Sequence, residues 1–198
     1  KEHPSKYIFI TICMALRDLI HTVHIGDDFF EDKESLLRKM IIQSKWTVKQ
    51  RYRTGYLAFP LTPNNTHYLD PLQKRVFKEC FNIYGIPIDE GRTKSASYAL
   101  VTNRLHNAYT WHTHEKSRYG YQPTFTVNES LHVFASSVYY YAMPEGSGGI
   151  AFRRDGEEME MMPKEGDLIF FPSDMLHSPL GNTCTDWRVS ININVVEK

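Results

Sequence analysis

The sequence predicts a mostly β-sheet protein with flanking helices, built as a jelly roll or another antiparallel double-sheet barrel. Two amphipathic helical segments lie in the first half of the 198-residue chain, and short strand-like runs follow one another after Ser95. A hydrophobic content of 41% with 13% aromatic residues provides enough apolar material for one sizeable core. We therefore expect a single domain over residues 1–198, with a helical part at about 1–94 and the barrel at about 95–198.

The two helical segments carry the usual signals of helix ends. Residues 31–46, EDKESLLRKMIIQSKW, have acids in the first turn, apolar residues at helical spacing and bases later on. In residues 70–85, Asp70 is predicted as the N-cap, Pro71 as the first helical residue and Gly85 as the stop. Both helices should pack through one apolar face, which in the second is the stripe of Leu72, Val76, Cys80 and Ile83.

The second half of the chain reads as seven short strands. Pro, Gly, Asp and Asn separate these runs. In chain order the runs are SYALVTNRLH, AYTWHTH, HVFASSVYYYAM, GGIAFRR, EMEMM, GDLIFFPSDML and DWRVSININVV. Many short strands separated by turn residues are typical of an antiparallel double-sheet barrel.

Charge and cysteine content exclude several classes of protein. Lys+Arg and Asp+Glu balance at 23 each, so no overall basic field attracts nucleic acid or an anionic membrane. The longest apolar run, at residues 7–16, is about half of what a bilayer span needs. Cys13, Cys80 and Cys184 form no CxxC motif, which favours free thiols in a reducing compartment. We therefore expect a cytoplasmic protein with no membrane partner, and the net charge argues against a nucleic-acid partner.

Three histidines form a candidate metal site. Side chains two residues apart on a strand share a face, so His112 and His114 should project together. A jelly roll can bring a distant strand end opposite this pair, and His177 stands at such an end. Three ligands on one side of a metal, with other positions open, suit oxygen-activating non-haem iron. A polar core network without metal is the alternative, and imidazoles also bind zinc, copper and nickel.

A candidate carboxylate-binding pair lies further along the chain. Arg188 follows His177 by eleven residues, and Ser190 shares its strand face. A guanidinium inside a small barrel can hold a carboxylate through two parallel hydrogen bonds. The alternative is an ion pair at the sheet margin with Asp167, Asp174 or Asp186.

These motifs resemble those of the Fe(II)/2-oxoglutarate-dependent oxygenases, in particular bacterial and phage members. The matching stretches are WHTH with His112 and His114, SVYY, PKEGDLIFFPSDMLH ending at His177, and RVSININ beginning at Arg188. The resemblance covers roughly residues 96–196, and VHIGDDFFEDKESLLRKM is also similar to the entry strand and helix of the family.

The resemblance implies a fold, cofactors and site residues. The fold would be a double-stranded β-helix buttressed by the N-terminal helices, and the cofactors would be Fe(II), the cosubstrate 2-oxoglutarate and O2. His112 and His177 would bind iron, with His114 where most members have Asp or Glu, and Arg188 with Ser190 would bind the distal carboxylate of 2-oxoglutarate. A tyrosine of SVYYY would add a hydroxyl, and of the two alternating sets, Tyr140 or Tyr139 with Tyr141, we assign Tyr139 to the cosubstrate.

The activity implied is hydroxylation of an unactivated C–H bond in a small-molecule or amino-acid-like substrate. Because His114 stands at the acid position, a dioxygenase with three histidines and no oxoacid is an alternative, as is a non-catalytic jelly-roll binding module. Glu115 could be the third ligand instead if the strand bends there. The insertion at about 115–135 is expected to be a lid or a substrate-recognition loop, with a peripheral hairpin as the alternative.

Overall fold

A computed structural model describes residues 15–28, 30–51, 57–60, 69–85, 93–105, 111–114 and 132–197. This part of the chain contains two α-helices, nine β-strands and a short 3-10 helix at Leu16–Leu19. The helices are α1 (Lys33–Arg51) and α2 (Asp70–Tyr84). The strands are β1 (His21–His24), β2 (Leu57–Pro60), β3 (Thr93–Thr102), β4 (His132–Ala142), β5 (Ile150–Arg154), β6 (Glu157–Met161), β7 (Asp167–Pro172), β8 (Leu176–Pro179) and β9 (Arg188–Glu197).

The strands form two antiparallel sheets. The major sheet has six strands in the order β1-β7-β4-β9-β3-β2, and the minor sheet has three in the order β6-β5-β8. Strand β9 is central to the major sheet and pairs with β3 along its whole length, from Arg188 opposite Thr102 to Glu197 opposite Thr93. The mostly β-sheet prediction with flanking helices is confirmed.

Both predicted helices are present. Helix α2 buries Leu72, Val76 and Cys80 completely, as its apolar stripe predicts. It ends at Gly85, whose φ of 65° lies in the left-handed region that glycine adopts without a steric penalty. The N-cap prediction was wrong by one residue, because Leu69 occupies the cap and Asp70 is already helical. The carboxylate of Asp70 still lies in the first turn, where the helix dipole favours it.

Alternation along the major sheet divides the apolar residues between two cores. Tyr139 and Tyr141 of β4 face the layer that contains α1 and α2. Val138 and Tyr140 face the other way and pack with Ile150 and Phe152 of the minor sheet. Because successive strand residues point to opposite faces, one sheet serves both cores. The candidate site lies on the face that looks toward the minor sheet.

Some sequence-based expectations need correction. Strands β1 and β2 form the two edges of the major sheet; β1 overlaps the entry strand that the resemblance implied, whereas β2 lies in the part of the chain expected to be helical. The run around WHTH was expected to be a strand, but within the described residues 111–114 it makes only an isolated bridge, His112 opposite His177. The other six predicted runs correspond to β3, β4, β5, β6, β7 and β9, and β8 was not predicted as a separate strand.

Several expectations concern residues that the structure does not describe. Cys13, Glu115, most of the apolar run at 7–16 and most of the insertion at 115–135 lie outside the described residues. Cys80 and Cys184 are buried free thiols. Within the described residues, neither helix combines the length and the apolar character that crossing a bilayer requires.

Candidate metal centre

The three predicted histidines come together at the end of the minor sheet. Each of His112, His114 and His177 offers a nitrogen, and these atoms all lie within 4.8 Å of one another. His177 lies on β8, and its main chain exchanges two hydrogen bonds of 3.0 Å with that of His112. The amide of His114 donates to the oxygen of Ser173 at 2.8 Å. Main-chain bonds from two separate segments therefore hold the cluster.

A stacked pair outside the cluster also holds the segment that carries His112. The guanidinium carbon of Arg153 lies 4.4 Å from the centroid of the Trp111 ring, within the range of a cation–π contact. Arg153 also donates to Glu158 at 2.6 Å across the β5–β6 pair. Trp111, next to His112, is thereby attached to the minor sheet.

Hydrogen bonds orient two of the imidazoles. Nδ1 of His177 lies 3.0 Å from the oxygen of Met175, and Nδ1 of His114 lies 2.8 Å from Oγ of Ser136. The Nε2 atoms of both rings are buried and have no hydrogen-bond partner among the described residues. An unsatisfied buried polar atom costs about 1–3 kcal/mol. A divalent metal ion would accept both lone pairs, so the residues present fit such an ion.

Burial keeps these imidazoles neutral. It is the main cause that lowers the pKa of His114 to about 3; the neighbouring His112 lowers it further, and a polar interaction with the Asn194 side chain opposes this shift. Burial, followed by His114 and His112, also lowers the pKa of His177 well below its usual value. Neutral imidazole is the form that binds metals, so both rings are in their ligand form at neutral pH.

Arg188 is buried beside the histidines, with 2% of its surface exposed. One of its terminal nitrogens donates to the oxygen of Gly149 at 3.2 Å, while its Nε has no hydrogen-bond partner among the described residues. Burial lowers the pKa of Arg188, but a guanidinium remains charged in proteins. The pocket therefore contains a cation with unused donor capacity.

The alternative ion pairs of Arg188 are not formed among the described residues. Asp167 instead lies 2.9 Å from Nδ1 of His24, and Asp174 lies 3.4 Å from a terminal nitrogen of Arg154. Asp186 forms no ion pair with Arg188 either within this part of the chain. The sheet-margin ion pair considered from the sequence is thus not what the structure shows.

A buried amide supports the contact between Arg188 and Gly149. Oδ1 of Asn182 accepts from the amide of Gly148 at 2.7 Å, and its Nδ2 donates to the hydroxyl of Thr102 at 2.7 Å. A Cβ atom at Gly149 would lie 1.9 Å from the oxygen of Met161, so only glycine fits there. This packing fixes the carbonyl that holds the guanidinium.

One pocket, partly open to solvent, is lined by His112, His177 and Arg188. Its polar wall comes from alternate residues of β9, namely Arg188, Ser190 and Asn192. Apolar side chains complete it, and these are Leu100, Val138, Ile150 and Pro179. The predicted pair Arg188 and Ser190 thus faces the same space as His112 and His177.

The tyrosine assignment needs correction. Tyr139 lies on the opposite face of β4, where its hydroxyl donates to the oxygen of Gly26 at 2.7 Å. Tyr140 lines the pocket instead, and its ring centroid lies 5.5 Å from the guanidinium carbon of Arg188. Burial raises the pKa of Tyr140 to about 12, so its hydroxyl keeps its proton. Strand alternation separates the two residues, and it makes Tyr140 the tyrosine next to Arg188.

Sequence reasoning missed two supporting residues. Ser136 shares a strand face with Val138 and Tyr140, so the alternation that identifies Tyr140 also brings Ser136 to the pocket side. Asn182 lies in an irregular segment between β8 and β9, and no periodic signal in the sequence marks it.

No protein-family model matches the chain, and no curated protein matches it either. Solved structures do match. The viral collagen prolyl hydroxylase of Paramecium Bursaria Chlorella virus-1, in its 2-oxoglutarate complex, has 14% identity over 93% of this chain and 100% of that chain, with a TM-score of 0.63.

Two further structures are similar. A Pseudomonas putida prolyl-4-hydroxylase has 13% identity over 91% of this chain and 93% of its own, with a TM-score of 0.62. HygX of Streptomyces hygroscopicus, with nickel and 2-oxoglutarate bound, has 8% identity over 91% of this chain and 83% of its own, with a TM-score of 0.58. At such identities these similarities establish a shared fold.

Proposed function

We propose that this protein is an Fe(II)- and 2-oxoglutarate-dependent oxygenase on a double-stranded β-helix. The observation that carries the proposal is that buried imidazole nitrogens and a buried guanidinium, close to one another, both have unused binding capacity within the described part of the chain. The buried Nε2 atoms of His114 and His177 lack partners among the described residues. The buried Arg188 lacks a carboxylate among them. A metal ion would bind the imidazole nitrogens, and a small dicarboxylate would bind the guanidinium of Arg188.

Each group in the pocket then has a role. His112, His114 and His177 hold the iron through neutral imidazoles. Arg188 binds the distal carboxylate of 2-oxoglutarate, with Ser190 and Tyr140 as hydroxyl donors beside it. When bound, Fe(II) would supply the O2-activating chemistry that converts 2-oxoglutarate to succinate and CO2 and a substrate C–H to an alcohol. Leu100, Val138 and Ile150 keep water away from the cosubstrate chain.

The substrate class proposed is a small molecule or an amino-acid-like compound with an unactivated C–H bond. Two of the similar structures are prolyl hydroxylases, a name that indicates action on prolyl residues, and this is in line with the amino-acid-like part of the proposal.

A dioxygenase that uses three histidines and no oxoacid is the second candidate. The observation that favours it is His114, which occupies the position of the usual carboxylate ligand and contributes no negative charge. The orientation of Arg188 and Ser190 into the same pocket favours the oxoacid enzyme, because neither the second candidate nor a simple binding module requires a carboxylate clamp there.

Succinate formation tests the proposal. Protein reconstituted with Fe(II) without oxygen is mixed with 2-oxoglutarate and O2, and succinate is measured over time. We expect slow turnover without added substrate, and none from His177→Ala or without iron. A fully iron-loaded wild type that neither forms succinate nor binds 2-oxoglutarate would exclude the oxoacid enzyme.

A further inference from the structure

The pocket carries positive charge with no described counter-charge. None of the described residues that line it is acidic. Asp186, the nearest acidic residue along the chain, is exposed and forms no described ion pair with Arg188, while Asp167 lies against His24 and Asp174 against Arg154. Arg188 thus contributes a full positive charge that the protein itself does not neutralise among these residues.

The histidine cluster adds to this imbalance once a metal binds. Three neutral imidazoles leave the double charge of a divalent ion undiminished, whereas a carboxylate ligand would cancel half of it. The ion and Arg188 would then share one partly enclosed pocket, where like charges repel more strongly than in water. Either cation therefore disfavours the other while both lack an anion.

We propose that Arg188 opposes metal binding in the free protein, and that a bound dicarboxylate reverses this, so that metal and cosubstrate are taken up together. The inference rests on the proposed function, because it needs a metal at the histidines and a dicarboxylate at Arg188. The dicarboxylate supplies two negative charges between two positive groups. It thereby takes the electrostatic role that the missing carboxylate ligand would otherwise have.

Thermodynamic linkage makes the effect reciprocal. If 2-oxoglutarate tightens metal binding by some factor, the metal must tighten 2-oxoglutarate binding by the same factor. Coupling between sites is commonly about 5- to 150-fold, and we expect a value in this range. Direct chelation of the metal by the oxoacid also produces coupling, so the decisive observation is made without the oxoacid.

The experiment measures binding of Mn(II), from the free-ion signal in electron paramagnetic resonance, to the full chain with and without saturating 2-oxoglutarate. We expect Arg188→Gln to bind Mn(II) alone about fivefold or more tightly than wild type, at the low end of common coupling factors. The coupling factor of this variant should also be smaller. Arg38→Gln makes the same charge change at an exposed position on α1 and should match wild type in both measurements.

His114→Asp serves as the second variant, and it remains informative if Arg188→Gln does not fold. A carboxylate at this position should tighten Mn(II) binding alone and should reduce the coupling factor. The proposal is overturned if Arg188→Gln folds and binds Mn(II) alone no more tightly than wild type, or if His114→Asp keeps the full coupling.

The outcomes also separate this inference from the proposed function. If wild type binds Mn(II) neither alone nor with 2-oxoglutarate, the proposed metal site is wrong and the inference fails with it. If wild type binds Mn(II) and 2-oxoglutarate, and the affinity for each is the same with and without the other, the inference alone is wrong.

Discussion

The Nδ1 nitrogen of His177 lies 3.0 Å from the main-chain oxygen of Met175. A carbonyl oxygen only accepts hydrogen bonds, so this nitrogen must carry the proton and Nε2 must carry the lone pair. The buried Nε2 has no partner among the described residues. The main-chain carbonyl of Met175, the residue just before β8, thus sets the tautomer that a metal ligand needs, before any metal binds.

The first prediction concerns the metal ligands. Alanine at His112, His114 or His177 should abolish stoichiometric binding of Fe(II) or Mn(II), because each substitution removes one of three nitrogens around a common point. Metal content after reconstitution and desalting measures this, and circular dichroism verifies that the fold is kept.

Two control variants accompany this prediction. His24→Ala removes an exposed histidine from β1 and should leave metal content unchanged. Glu115→Ala should have little effect if His114 is the third ligand. If Glu115→Ala loses the metal and His114→Ala keeps it, the ligands are two histidines and the carboxylate of Glu115.

The second prediction concerns Ser136. Its hydroxyl lies 2.8 Å from Nδ1 of His114 and orients that ring. Ser136→Ala should weaken metal binding by about 10- to 100-fold, the usual effect of removing the partner of a ligating histidine. The metal dissociation constant measures this effect.

Ser137→Ala is the matched control for Ser136→Ala. It removes a neighbouring buried hydroxyl that donates to the oxygen of Ile193 at 2.8 Å. Ser137→Ala should lower stability by about 1 kcal/mol and leave metal affinity unchanged. Equal loss of metal affinity in both variants would mean that Ser136 acts only through the stability of β4.

The third prediction concerns pH and the metal-free protein. Unfolded histidine titrates near 6.5, whereas burial lowers the pKa of His114 to about 3 and that of His177 well below 6.5. Below pH 6.5 the unfolded chain therefore binds more protons than the folded one, so stability falls as pH falls toward 3. Each histidine contributes a slope of at most about 1.4 kcal/mol per pH unit.

Urea unfolding at several pH values between neutral and mildly acidic measures this slope. His114→Gln should reduce this slope by at most about 1.4 kcal/mol per pH unit relative to wild type. The variant lacks one group whose pKa differs between the folded and unfolded states. A slope identical to that of wild type would show that His114 titrates normally in the folded protein.

Local periodicity in the sequence predicted much of the fold and part of the candidate site. Strand alternation predicted that Arg188 and Ser190 share a face, and both line the pocket. His112 and His114 also lie close together, although residues 111–114 form an isolated bridge and not the strand from which this was predicted. Alternation gives relative orientation only, so it could not decide between Tyr139 and Tyr140. That choice depends on which face of β4 packs against α1 and α2.

Non-local contacts were beyond the sequence. Three contacts join segments that are far apart in the chain: the bridge between His112 and His177, the contact of Arg188 with Gly149, and the hydrogen bonds of Asn182. No spacing rule specifies such pairs, because they follow from how the two sheets pack. The edge strand β2 was missed for a related reason, since a four-residue strand carries little periodic signal, whereas the entry strand implied by the family resemblance overlaps β1.

Binding of 2-oxoglutarate to metal-loaded, oxygen-free protein, measured by calorimetry for wild type and Arg188→Lys, tests the central claim most directly. Lysine keeps the charge but lacks the planar fork that holds a carboxylate through two bonds. Loss of a charge-assisted hydrogen bond of about 1.5–3 kcal/mol should weaken binding about ten- to a hundredfold, with metal content unchanged. If wild type binds no 2-oxoglutarate, or if the variant binds it equally well, Arg188 is not a carboxylate clamp and the oxoacid-dependent assignment is wrong.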